Sequence, residues 1–107
     1  MLGVDAPEIA KNGDPGDCWG DESHTAARNL MQGLRVKLDF GSSDLRDRFD
    51  RLLAYVELPD GRIANEVLIQ EGNARSFGAF SHRELSRYDD LEDEAKAAGK
   101  GLWSGCP

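Results

Sequence analysis

Two short apolar runs bounded by charge constrain this 107-residue chain more than any other feature. Leu2-Gly3-Val4 leads into Asp5-Ala6-Pro7-Glu8, so two carboxylates stand at the end of the first run. Asp47-Arg48-Phe49-Asp50-Arg51 leads into Leu52-Leu53-Ala54-Tyr55, so an arginine stands at the start of the second. A carboxylate that holds a cation, a second carboxylate and an arginine are the groups that a metal-assisted attack on a phosphodiester requires. A fold that uses them together has to bring Asp5, Glu8 and Arg51 to one cleft.

The rest of the chain alternates strands with helices. Leu2 to Val4 reads as the tail of a strand. Asp5 to Gly20 reads as a long loop punctuated by Pro7, Gly13, Pro15 and Gly16. Asp21 is placed to cap a helix running to about Gln32, with Ala26, Ala27, Leu30 and Met31 on its apolar side and Leu34 just beyond. Val36, Leu38 and Phe40 alternate with Arg35, Lys37 and Asp39, the pattern of a half-buried strand. Gly41 to Arg48 is a polar loop. Leu52 to Leu58 is a more fully apolar strand, turned by Pro59-Asp60-Gly61.

A short helix is predicted over about Ala64 to Glu71, stopped by Gly72, and a short strand over Asn73 to Phe77. Ser81 and Glu84 have the spacing of a capping box for a last helix. Its inner face is Leu85, Tyr88, Leu91, Ala95 and Ala98, and Gly99 ends it. This pattern alone describes a small α+β domain.

The length leaves room for one core, so a single domain over residues 1–107 is expected. No apolar stretch approaches the ~20 residues that span a bilayer, so no membrane segment is expected. No signal peptide is visible after Met1. The formal net charge is −7, whereas proteins that grip nucleic acid through its phosphates are basic on the gripping face. Much of the acid sits in Asp89, Asp90, Glu92, Asp93 and Glu94, which reads as a solvated helix face. A cleft can still be locally positive if Arg48, Arg51 and Arg75 converge there.

The two opening segments, in this order, resemble the staphylococcal nuclease (thermonuclease) family. Asn65-Glu66-Val67-Leu68-Ile69 with Glu71-Gly72-Asn73-Ala74 is similar to the family's Asn-Glu helix and the strand after it. Glu94-Ala95-Lys96 with Gly99-Lys100-Gly101-Leu102-Trp103 is similar to its C-terminal helix and Leu-Trp ending. The resemblance implies an OB-fold-type Greek-key β-barrel of five strands with three helices. It also implies that two strands preceding the first segment are missing from this chain, which would leave unpaired edges and an open core.

The same resemblance assigns roles. Asp5 matches a calcium-ligating aspartate, and Ala6 stands where the family has a threonine whose backbone carbonyl also binds the ion. Calcium (Ca2+) is a hard cation that takes oxygen ligands. Glu8 matches the catalytic glutamate, which can accept a proton from the attacking water. Arg51 matches a catalytic arginine, whose planar fork can hold a phosphate and stabilise the developing charge. Arg48 and Phe49 fall in the substrate-contacting segment, with Phe49 in place of a tyrosine and Asp50 in place of a glycine. Phe77 and Phe80 lie where the family places aromatic residues near the nucleotide; stacking on bases and core packing are both open to them.

The family's first calcium aspartate and its other catalytic arginine have no counterpart here, so an impaired activity is expected of this chain. The implied function is calcium-dependent hydrolysis of DNA or RNA by a monomer. The alternative is a non-catalytic nuclease-like module that binds nucleic acid or protein.

Cys18 and Cys106 are the two cysteines. Relatives of this type with a cysteine in both places suggest a bridge between the tail and the first-helix loop, against the alternative of two free thiols. A bridge would point to an extracellular or periplasmic compartment. His24 and His82 read as solvated or capping residues, and Trp19 and Trp103 as core or rim packing.

Overall fold

A computed structural model describes residues 1–40, 53–78 and 82–107. In chain order the elements are β1 (Val4–Asp5), α1 (Gly20–Met31), β2 (Lys37–Asp39), β3 (Tyr55–Glu57), α2 (Ala64–Gln70), β4 (Arg75–Ser76), α3 (Leu85–Ala98) and α4 (Leu102–Gly105). The domain is therefore α+β, with four helices among the described residues rather than three; the extra one is the single turn at the Leu-Trp ending.

The strands make two antiparallel ribbons. β1 pairs with β4, setting Val4 opposite Ser76 and Asp5 opposite Arg75. β2 pairs with β3, setting Leu38 opposite Val56. One backbone bond, from the Leu2 amide to the Ala54 carbonyl at 2.9 Å, ties the start of the first ribbon to the residue before β3. No closed barrel is seen among the described residues.

Two apolar clusters hold these parts together. Leu2, Tyr55, Ile69, Tyr88 and Leu91 form one, so the first apolar run, β3, α2 and α3 share a core. Val56, Leu58 and Ala64 form the other, against which Leu30 and Met31 of α1 pack. Asn65, wholly buried, lies between β3 and the N-terminal run. Its amide oxygen accepts from the Val56 amide at 2.9 Å, and its amide nitrogen donates to the Leu2 and Ala54 carbonyls at 2.8 and 3.2 Å. A buried polar side chain is tolerated only when its hydrogen bonds are met, and this one is met by backbone from two segments.

Several boundaries and faces differ from the sequence pattern. Asp21 does not cap α1; the helix begins two residues earlier than such a cap would give, at Gly20 after Trp19, which adopts a left-handed conformation with φ 71°. That conformation costs an L-residue roughly 1–2 kcal/mol, offset by tertiary contacts of the Trp19 indole, whose Nε1 donates to the Asn73 Oδ1 at 2.9 Å. α3 begins at Leu85 with Glu84 in the capping position and no side-chain cap; Ser81 lies outside the described residues.

Val36, Leu38 and Phe40 are not half-buried but 38%, 51% and 37% exposed; β2 belongs to a two-stranded ribbon, and Leu38 and Phe40 border an open cleft instead of a packed core. Ala98, in the last turn of α3, is exposed beside the polar end of α2. The turn at Pro59-Asp60-Gly61 forms as the sequence implies, with the Gly61 amide bonded to the Leu58 carbonyl at 2.9 Å. No helix among the described residues is long and apolar enough to cross a membrane.

Candidate active site

Asp5 is the last residue of β1, and its alternation with Val4 puts its side chain in the exposed position of the strand end. Ala6 and Glu8 follow in the loop and are also exposed. Neither the Asp5 nor the Glu8 carboxylate makes a side-chain hydrogen bond or ion pair among the described residues. Both stay open to a cation, to water or to a ligand.

The loop that carries Glu8 is fixed through its backbone. At its tip Lys11 and Asp14 exchange backbone hydrogen bonds at 3.1 and 2.8 Å. Asn12 and Gly13 form the turn between them with φ 50° and 82°, the left-handed pair that an Asn-Gly dipeptide adopts in the tightest hairpins. At its base the Glu8 amide donates to the Asp17 carboxylate at 2.9 Å, and the Asp17 amide donates back to the Glu8 carbonyl at 2.9 Å. Gly20 then lies so close to the Glu8 carbonyl that a Cβ there would collide with it. Asn12-Gly13 was a readable signal within what the sequence pattern gives only as a long loop. Asp17 was not readable, since its partner is nine residues away and no periodicity links them.

Cys18 and Cys106 form a disulfide, with Cα atoms 5.9 Å apart. It joins the residue after Asp17 to the C-terminal tail. Next to it the Trp19 ring packs on Gly105, with no room for a side chain at that position. Ser23 Oγ donates to the Asn73 carbonyl at 2.6 Å. The expected packing role of Trp19 is thus met. Trp103 lies at the rim, with the Arg75 guanidinium 5.3 Å and the Lys96 Nζ 4.8 Å from its ring centre.

That contact places Arg75. It stands directly across the ribbon from Asp5, yet its cation lies over the Trp103 indole and makes no ion pair with Asp5 among the described residues. Phe77 is 39% exposed, and its amide donates to the Gly3 carbonyl at 2.9 Å, close behind β1. Arg48, Phe49, Asp50, Arg51 and Phe80 lie outside the described residues, so the convergence of Arg51 with Asp5 and Glu8 remains an expectation.

His82 is neither solvated nor a cap. Its Nδ1 shares a 2.8 Å hydrogen bond with the Tyr55 hydroxyl, which also accepts from the Glu84 amide at 3.2 Å. Its ring edge lies against Gly3 and Tyr88. Burial lowers its pKa below the ordinary imidazole value, only partly opposed by Glu84 and Asp89. Burial likewise raises the Tyr88 hydroxyl well above the usual phenol.

The acidic run on α3 is also not wholly solvated. Asp89 accepts from Ser76 Oγ at 2.6 Å, and Glu92 accepts from the Ser76 amide at 3.2 Å. These bonds anchor β4 to the helix.

A cleft of about 620 Å³ opens between Leu38, Phe40, Tyr55, Ile63, Glu66 and Tyr88. Its other walls carry Asp39, Glu57 and Glu84 against only Lys37 and Arg83. A concavity with this excess of carboxylate repels a polyanion, and neither Asp5 nor Glu8 lines it.

The donor chemistry at the end of β1 suits a hard cation in kind, with one exposed carboxylate and neighbouring backbone carbonyls. Among the described residues no group of three or more His, Cys, Asp or Glu is placed to hold a metal ion. These residues therefore offer part of a coordination shell rather than a complete cage.

Comparison with known proteins matches residues 1–105 to the model of the family described as staphylococcal nuclease homologue. Endonuclease YncB of Bacillus subtilis (strain 168) is 34% identical over 108 residues, covering 94% of this chain and 48% of that protein. The SPbeta prophage-derived endonuclease YokF of the same organism is 33% identical over 108 residues, covering 94% of this chain and 34% of that protein. The chain spans about half or less of the length of these curated relatives.

Proposed function

Because this chain belongs to the family of staphylococcal nuclease homologues, we propose that it forms the hydrolytic domain of an endonuclease that cleaves phosphodiester bonds in DNA or RNA with calcium. The observation that carries the reading is the end of β1. Asp5 and Glu8 present two exposed carboxylates, unpaired among the described residues, while the backbone of Glu8 is held from both sides by Asp17. A proton acceptor works when its geometry is fixed and its carboxylate is free.

In this reading Asp5 and the Ala6 carbonyl contribute oxygens to the ion. Calcium, when bound, would polarise the phosphate and neutralise its charge. Glu8 orients the attacking water and accepts its proton. Arg51 holds the phosphate through two parallel N–H donors and stabilises the charge that develops on its oxygens. Arg48 and Phe49 flank Arg51 and hold the strand, and Phe77 and Phe80 offer faces on which bases stack. The exposure of Phe77 supports such a role.

The two ribbons, joined by the Leu2–Ala54 bond, support an OB-type barrel arrangement whose strands run in the order β2, β3, β1, β4. The domain acts as a monomer, and its disulfide supports an oxidising compartment outside the cytoplasm.

The net charge of −7 favours a second reading, a nuclease-like module that binds without cutting. Cleavage of labelled DNA and RNA strands, with calcium and with a chelator, separates the two. The first reading expects cleavage that the chelator abolishes and that Arg51→Lys severely reduces, since an ammonium lacks the bidentate fork. Folded protein that binds strands without cutting them supports the second.

A further inference from the structure

We propose that Asp17 is the positioning residue for Glu8, and that the Cys18–Cys106 disulfide holds Asp17 in that role; the catalytic consequence rests on the assignment of Glu8 above. Both peptide groups of Glu8 are engaged by one residue. The Asp17 carboxylate accepts from the Glu8 amide, and the Asp17 amide donates to the Glu8 carbonyl, each at 2.9 Å. Together they fix the backbone on both sides of the Glu8 Cα, and so the direction of its Cβ. The carboxylate itself is left exposed.

Asp17 needs an anchor of its own, because it sits in an exposed loop. Three contacts supply one. Cys18, the next residue, is bonded covalently to Cys106. The Cys106 amide donates to the Leu102 carbonyl at 3.0 Å, and the Leu102 amide donates to the Gly72 carbonyl at 2.9 Å, so the tail is seated on the turn after α2. Trp19 fits between Gly105 and Asn73. The disulfide is the one covalent link in this set, and Cys18 is exposed, so a reductant reaches it.

A dithiol reductant opens the bridge in two exchanges. Its thiolate attacks one cysteine sulfur, breaking the S–S bond, forming a mixed disulfide and releasing the other cysteine, which takes up a proton. Its second thiol then displaces the remaining cysteine. The protein has gained two electrons and two protons, and the reductant has become a cyclic disulfide. The tail then keeps its backbone bonds and the packing of Trp19 on Gly105 but loses its covalent link to Cys18, Asp17 moves relative to β1, and Glu8 loses its fixed direction. The α2 and α3 core has no part in the link and stays folded.

The test is the amide spectrum of isotopically labelled protein by NMR, oxidised and after dithiothreitol. In the oxidised protein the Glu8 amide proton should be shifted downfield and slow to exchange with solvent, as a donor to a carboxylate is. Reduction, Asp17→Asn, and Cys18→Ser with Cys106→Ser should each lessen that shift and speed that exchange, while the Ile69 and Tyr88 amides keep their positions. In the cleavage assay the same changes should lower kcat about 10- to 100-fold with KM little changed, the signature of a displaced catalytic group.

A Glu8 amide that keeps its shift and slow exchange after reduction, in a spectrum otherwise unchanged, overturns the role of the disulfide. Loss of the Ile69 and Tyr88 positions in the oxidised Asp17→Asn variant makes Asp17 structural and overturns its positioning role. Loss of the Glu8 shift and slow exchange in a protein that cleaves nothing in either state supports the clamp and removes the nuclease reading instead.

Discussion

The Asn65 side-chain amide donates to the Leu2 carbonyl at 2.8 Å, joining the start of α2 to the N-terminal run that ends in Asp5. Through its oxygen the same side chain accepts from the Val56 amide of β3. One buried residue thus sets the seat of β1 against the rest of the domain, three residues before the candidate cation ligand.

Asn65→Ala leaves the Val56 amide without its acceptor and the Leu2 carbonyl without this donor, in a region closed to water. Two such groups should lower stability by about 2–4 kcal/mol. The midpoint of urea unfolding, followed by tryptophan fluorescence, should fall accordingly. Asn65→Asp should cost at least as much, because its second oxygen cannot donate to Leu2 and its charge is buried.

The Cys18–Cys106 bridge closes a loop with a sequence separation of 88. In the chain-entropy account a loop of this length contributes about 4–5 kcal/mol. Cys18→Ser with Cys106→Ser should therefore give a folded protein whose urea midpoint falls by that equivalent. A thiol titration of oxidised protein in denaturant should find no free sulfhydryl.

His82 sets an acid limit. Its folded pKa lies below that of the unfolded chain, chiefly through burial, so the unfolded state binds the extra proton first. Its contribution to stability is intact above about pH 6.5 and is lost progressively as pH falls below that value toward the folded pKa. Protonation requires a hydrogen on Nδ1, where Tyr55 now bonds. The slope of the unfolding free energy between pH 7 and 5 should be positive and should flatten in His82→Gln.

Much of this was legible in the sequence, and the reasons for the remainder are physical. α2 and the inner face of α3 followed from period and from Gly72 and Gly99, both of which sit at the helix ends in left-handed conformation. Asp5 and Glu8 stood out because carboxylates closing an apolar run are exposed wherever that run becomes a strand. The start of α1 was misplaced because Trp19, held by Asn73 and Gly105 from distant parts of the chain, overrides the local preference for Asp21. The alternation of Val36, Leu38 and Phe40 gave a strand correctly but not its burial, since burial depends on what lies opposite. His82 was misread because a histidine next to a helix looks the same in sequence whether it faces water or Tyr55. Asp17 left no local trace at all.

The most direct measurement is the single-turnover rate at which protein carrying residues 1–107 cleaves a labelled strand in calcium, compared between the native residue and Glu8→Gln. An amide keeps the size of the side chain but cannot accept the proton of water. The rate should fall about 100- to 1,000-fold or more, with the amide spectrum of the core unchanged. A Glu8→Gln protein that cuts as fast as the native one, or a folded native protein with no calcium-dependent cleavage, would contradict the account.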